Sequence, residues 1–96
     1  MKPLLMFSVR DAKADAFMRP FFAQSEGIAV RGFTDEVNRE GSELGKHPED
    51  YALFKVGEFL EDEGMVTPLT QPVQMITAIR VVVRESIGSV SVKAVS

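Results

Sequence analysis

The sequence predicts an α+β domain in which a small antiparallel sheet packs against one main helix, and three observations lead to it. Leu4-Leu5-Met6-Phe7-Ser8-Val9 is an almost continuous apolar run between Pro3 and the charged pair Arg10-Asp11, the pattern of a buried, central strand. From Glu26 to about Arg39, the apolar residues Ala29, Val30, Phe33 and Val37 recur at three- and four-residue spacing, which predicts an amphipathic helix. Tyr51 to Leu60 alternates in polarity, and Asp62-Glu63-Gly64 turns the chain into a second strand at Met65 to Leu69.

Between the first strand and the helix, Ala12, Ala14, Ala16, Phe17 and Met18 are spaced for a helical turn. Arg19 ends it, because proline disfavours helix in the residue before it, and Pro20 to Gln24 then runs extended. Ser25 is a good N-cap, and Glu26 in the first turn suits the positive end of the helix dipole. Arg31 and Asp35 are placed for an i,i+4 pair on another helix face. Gly41 is the expected stop, Glu40 to Lys46 an exposed loop, and Pro48 the first residue of one short helical turn.

The C-terminal third supports two readings. Met75, Ile79, Val82 and Val83 fit a helical stripe, whereas Ile79-Arg80-Val81-Val82-Val83 has strand composition. Ser89 to Val95 alternates and prefers strand. A helix over residues 73–85 gives the ferredoxin-like order of strand, helix, strand, strand, helix, strand. Without that helix, the chain ends in a hairpin turning near Gly88.

With 96 residues, the chain fits a single domain over 1–96 with one modest core. Hydrophobic residues at 45% and charged residues at 26% predict folding rather than disorder. Cysteine is absent, which removes thiolate catalysis, thiolate zinc sites and redox switching, and suits a cytoplasmic setting. The apolar run at Leu4 to Val9 is too short for a signal peptide or a membrane span. The net charge of −3 argues against a simple polycationic nucleic-acid binder. Its distribution softens that objection, since the acidic excess falls after residue 46, much of it in Glu61-Asp62-Glu63.

No catalytic constellation is legible. His47 is the sole histidine, no metal-ligand spacing surrounds it, and no serine sits in a nucleophile elbow. Glu49-Asp50 and Glu61-Asp62-Glu63 lack a calcium-loop pattern and read as solvated turns. The glycines are scattered, with no phosphate-cradling loop. No enzyme activity, cofactor or metal is therefore expected.

Aromatic and basic residues interleave in one place, where Phe17, Arg19, Phe21 and Phe22 follow Arg10 and Lys13. Such a surface stacks exposed bases while cations follow the phosphates. Core filling competes with this, since phenylalanine is usually buried. If the segment is extended, however, one of Phe21 and Phe22 must point away from the core. The candidate nucleic-acid-binding set is Arg10, Lys13, Phe17, Arg19, Phe21, Phe22 and Arg31.

The ordered set Phe7-Ser8-Val9-Arg10-Asp11, Lys13-Ala14, Phe17, Pro20-Phe21-Phe22, Ala29 with Arg31 and Phe33, Val37-Asn38, His47-Pro48-Glu49-Asp50-Tyr51, Leu53, Gly57-Glu58-Phe59 and Gly64 resembles the small nonstructural protein of gokushovirus-type microviruses. The resemblance runs from about Leu4 to Pro68 and does not reach the tail after about residue 70. It implies a phage protein of the host cytoplasm, outside the capsid, that acts in genome replication and is described at family level as DNA-binding. Two functions follow as expectations: a nonenzymatic replication accessory that binds single-stranded DNA, or an adaptor that contacts a phage or host replication or packaging protein without touching DNA. Clustering of Arg10, Lys13, Arg19 and Arg31 on one face favours the first, and an uncharged apolar patch favours the second. A homodimer is expected as well, because the chain carries more strand-forming residues than one helix can cover.

Overall fold

The computed structural model describes residues 2–83. The apolar run forms β1 (Leu4–Asp11), which is hydrogen-bonded along both edges. One edge pairs antiparallel with two short strands, β2 (Ala16–Phe17) and β3 (Phe21–Ala23). The other pairs antiparallel with β4 (Tyr51–Leu60), and a hairpin adds β5 (Met65–Thr77) outside it. The α+β class and its antiparallel sheet are as the sequence predicts.

The expected helical turn after β1 is a β-hairpin instead. The Asp11 carboxylate accepts from the backbone N–H of Lys13 at 3.0 Å and of Ala14 at 3.3 Å, an Asx turn that competes with helix. Asp15 takes the left-handed conformation at φ 55°, one of the few non-glycine residues that tolerate it. The chain then folds back so that Phe17 lies opposite Arg10. Phe21–Ala23 is extended as expected and pairs with Leu5, Met6 and Phe7.

The main helix, α1 (Glu26–Val37), begins at the expected cap, with Ser25 Oγ accepting from Ile28 N at 3.1 Å. Ala29, Phe33 and Val37 are buried against Phe7, Val9, Ala23 and Leu53 on one face of the sheet. Arg31 and Asp35 stay exposed, with no ion pair between them. The helix stops at Asn38, before Gly41, and what looks in sequence like an exposed loop contains a short helix, α2 (Glu43–Lys46). Buried Ser42 caps α2 by accepting from Leu44 N at 3.1 Å, and Leu44 fills the core beside α1. A 3-10 turn at Pro48–Asp50 then leads into β4.

Residues 73–77 continue β5 rather than starting a helix, and only one turn, α3 (Ala78–Val81), follows. Cross-strand pairing of Gln74 with Phe54 and of Ile76 with Leu53 holds this stretch in the sheet. Because β4 lies directly beside β1, the strand following the main helix is the immediate neighbour of the first, unlike a split βαβ arrangement. The predicted strand at Ser89 to Val95 and the turn near Gly88 lie outside the described residues. Asn38 secures the exit of α3: its Nδ2 donates to Val81 O at 3.0 Å and its Oδ1 accepts from Val83 N at 2.7 Å.

Gly57 marks a close approach between β4 and β5. A Cβ built there would lie 2.7 Å from Thr67 O and 3.2 Å from Pro68 Cα, both backbone atoms of β5. A Cβ on Gly32 of α1 would meet nothing within 4 Å. Gly57→Ala is therefore expected to destabilise the protein, and Gly32→Ala to stabilise it by about 0.5–1 kcal/mol through helix propensity. Urea denaturation of the two variants checks the opposite signs.

Candidate functional site

Among the described residues, helix α1 covers one face of the sheet and no element covers the other. Directly opposed residues on paired antiparallel strands point to the same face, so the register identifies the uncovered one. Ser8 opposes Phe54, and Phe54 opposes Gln74; Arg10 opposes Phe17; Met6 opposes Phe22; Leu4 opposes Phe59, which opposes Val66. Two aromatic pairs form on this face. Phe17 and Phe54 meet edge to face with centroids 5.3 Å apart, and Phe22 and Phe59 are tilted at 5.7 Å. Phe17 is 43% exposed and Phe22 48%, large values for rings held in a sheet.

The predicted residues divide between the two sides. Arg10, Phe17 and Phe22 share the uncovered face, and Lys13 lies in the exposed turn at its end. Phe21 turns the other way and stacks on Phe7 at 5.8 Å, as strand alternation requires for one of two adjacent residues. Arg19 lines a cleft of about 370 Å³ on the helix side, with Phe21, Phe33 and Glu36. Arg31 is exposed on α1. Two of the four expected cations thus accompany the aromatic face and two do not.

Arg10 is held in place by an ion pair from its guanidinium to the Asp15 carboxylate in the adjoining turn. Both side chains are substantially exposed, so the pair contributes little to stability and can be exchanged for another anion. Phe54 and Phe59 complete the aromatic face although nothing in their local sequence suggests function. Their signal is the alternation of β4, which sets Phe54 on the face opposite Leu53.

At one end of this face lies a cleft of about 310 Å³ bordered by Arg10, Glu49, Asp50, Phe54, Gln74 and Thr77. Ligating atoms of Glu49 and Asp50, which border the cleft, and of His47, which does not, come within 4.8 Å of one another. Tyr51 also lines it. Partial burial pushes the phenol pKa up, and the negative charges of Asp11, Glu43 and Asp50 push it further the same way. On the helix side, the hydrogen bond from Arg39 holds the Glu36 carboxyl below its ordinary value; the attraction of the Arg39 charge and a hydrogen bond from Ser42 add to this against partial desolvation.

Among the described residues, the architecture is a small α+β fold with one aromatic sheet face left uncovered. The Phage ORF5 protein family matches residues 4–81, and the chain belongs to that family, which makes it a phage protein. Neither the curated proteins nor the solved structures give a match to this chain. Among the described residues, no helix is long and apolar enough to cross a membrane.

Tyr51 is the sole tyrosine of the chain, so its ionisation can be followed directly by ultraviolet absorbance. The native protein is expected to titrate above the ordinary tyrosine value of about 10, and the urea-unfolded chain at that value. Because the folded pKa is the higher one, the unfolded state loses its proton first as pH rises, and stability falls above about pH 10. Asp11→Asn should bring the native midpoint down, and a native midpoint equal to the unfolded one would contradict the environment described.

Proposed function

We propose that the protein is a nonenzymatic, nonstructural phage protein that acts in genome replication by binding single-stranded DNA along the uncovered sheet face. The observation that carries this reading is the pair of half-exposed rings, Phe17 and Phe22, braced by Phe54 and Phe59 and flanked by Arg10 and Lys13. Rings braced in this way form a stacking platform at little entropic cost, because the neighbouring ring already restricts their rotation. Each stacked base contributes on the order of 1–3 kcal/mol, so two contribute about 2–6 kcal/mol. Membership of the Phage ORF5 protein family supports a phage protein, and the resemblance to the gokushovirus-type nonstructural protein is the ground for proposing genome replication in the host cytoplasm.

The charge distribution bounds the affinity. For single strands, the slope of log K against log salt is about −0.7 per phosphate contact, so Arg10 and Lys13 alone give about −1.4, whereas all four expected cations would give about −2.8. Stacking then supplies more of the binding than counterion release does, in keeping with a net charge of −3. Binding of modest affinity and shallow salt dependence follows.

A second reading is favoured by one observation: Arg10 is the single charged side chain among the face residues set out above, and it is already paired with Asp15. An apolar face of that kind also suits a protein partner, either a replication or packaging protein or a second copy in a homodimer. Fluorescence anisotropy with labelled single strands at two salt concentrations separates the readings. Arg10→Ala with Lys13→Ala should flatten the salt dependence, while Phe22→Ala should weaken binding about fivefold or more and leave the slope unchanged. No salt-sensitive binding at about 50 mM salt would reject DNA binding in favour of the protein interface.

A further inference from the structure

We propose that the cleft on the helix side of the sheet receives the β4–β5 hairpin of a second copy of this chain. The inference stands apart from strand binding, since the surfaces it joins lie away from the aromatic face. The cleft opens between α1 and residues 18–21, with a volume of about 370 Å³, inside the range of ligand pockets of roughly 300–1,000 Å³. The buried residues Val9, Phe33 and Leu44 line it, together with partly buried Phe21.

Gly32 keeps the cleft open. It sits exposed inside α1, where a Cβ would meet nothing within 4 Å, and no positive φ requires it. Glycine weakens a helix interior relative to alanine, so packing within the chain does not account for it. Because Gly32 lines the cleft, a side chain there would occupy it. Two charged residues border the same space. Glu36 accepts from Arg39 Nε at 3.0 Å, from Arg39 Nη2 at 2.8 Å and from Ser42 Oγ at 3.3 Å, so its charge is matched within the chain. Arg19 is exposed and forms no ion pair among the described residues. The occupant that fits is therefore apolar, with an acidic neighbour directed toward Arg19.

The β4–β5 hairpin has that chemistry. Met65 is 55% exposed and opposes Leu60, and the turn between them carries Glu61, Asp62 and Glu63. Phe59 and Val66 belong to the aromatic face, so alternation puts Leu60 and Met65 on the helix side. Glu61 shares a cleft with Lys2, whereas Asp62 and Glu63 form no ion pair among the described residues. Methionine is unbranched and adapts to an irregular apolar site. The hairpin does not reach the cleft of its own chain. Leu4 pairs with Phe59 at the hairpin end, Val9 lines the cleft, and the stretch of β1 between them spans about 17 Å. Complementary surfaces at opposite ends of one chain meet only between copies, as a contact of unlike surfaces in which each copy offers one cleft and one hairpin.

Sedimentation velocity of the full chain over a concentration series tests the contact. The unaltered protein is expected to associate as its concentration rises. Arg19→Glu alone, and Asp62→Lys with Glu63→Lys, each set like charges against one another and should weaken association about tenfold or more. A chain carrying all three changes opposes unlike charges again and should return to within about threefold of the unaltered protein. Gly32→Leu fills the cleft and should abolish association, while urea denaturation finds the fold no less stable than before. An unaltered protein that stays monomeric at every concentration would overturn the proposal. So would association that Arg19→Glu or Gly32→Leu leaves unchanged, which would move self-association to another surface such as the aromatic face, or a combined variant that fails to regain it.

Discussion

Hydrogen bonding of β1 along both edges is the constraint on which the rest of the fold depends. Leu4–Asp11 receives β2 and β3 on one side and β4 on the other, so its backbone groups are satisfied by neighbouring strands and its side chains must serve two faces. On one face, Phe7 and Val9 join Leu53, Ala29, Phe33 and Val37 in the core. The other face has no helix to meet among the described residues, since α1, α2 and α3 all pack against the core side. A 12-residue helix is about 18 Å long, enough to cover one face of a small sheet and not two. Among the described residues, the open aromatic face is thus a consequence of how much helix they contain.

The outer edge of β5 is managed differently from the open face. Pro68 lies opposite Gly57 in a 13-residue strand, and Pro72 follows four residues later. Proline offers no N–H and blunts an edge against further pairing, a device that discourages chains from adding to the sheet. Gly57 has no side chain because the backbone of Thr67 and Pro68 approaches too closely for one. An edge protected in this way directs association to the face, where aromatic area is available. The proposed DNA strand and the alternative protein partner would therefore meet the same surface.

The parts of this fold legible in the sequence are those where one periodicity dominates. The apolar run of β1, the helical spacing of Ala29, Phe33 and Val37 with Ser25 before it, and the alternation of β4 each lead directly to the observed element. Residues 11–19 mislead because their alanines carry helix propensity while Asp11 and Asp15 carry turn chemistry, and the side-chain hydrogen bonds of Asp11 prevail. Ser42 and Leu44 sit among polar residues and look exposed until the fold brings α2 against α1. The site was partly legible: adjacent phenylalanines in an extended segment must diverge, and Phe22 does face outward while Phe21 stacks on Phe7. The contributions of Phe54 and Phe59 depend on the β1–β4 register, and the separation of Arg19 and Arg31 from Arg10 on where the helix lies; neither is encoded locally.

The central claim is that ligand meets the uncovered face and leaves the helix-covered face undisturbed. The seven phenylalanines are distributed over both faces, so fluorine-labelled phenylalanine followed by NMR during addition of a single-stranded oligonucleotide reports on each directly. The resonances of Phe17, Phe22, Phe54 and Phe59 are expected to shift together while those of Phe7, Phe21 and Phe33 hold their positions. Shifts confined to Phe21 and Phe33, or no shift at any ring despite saturating strand, would contradict the account.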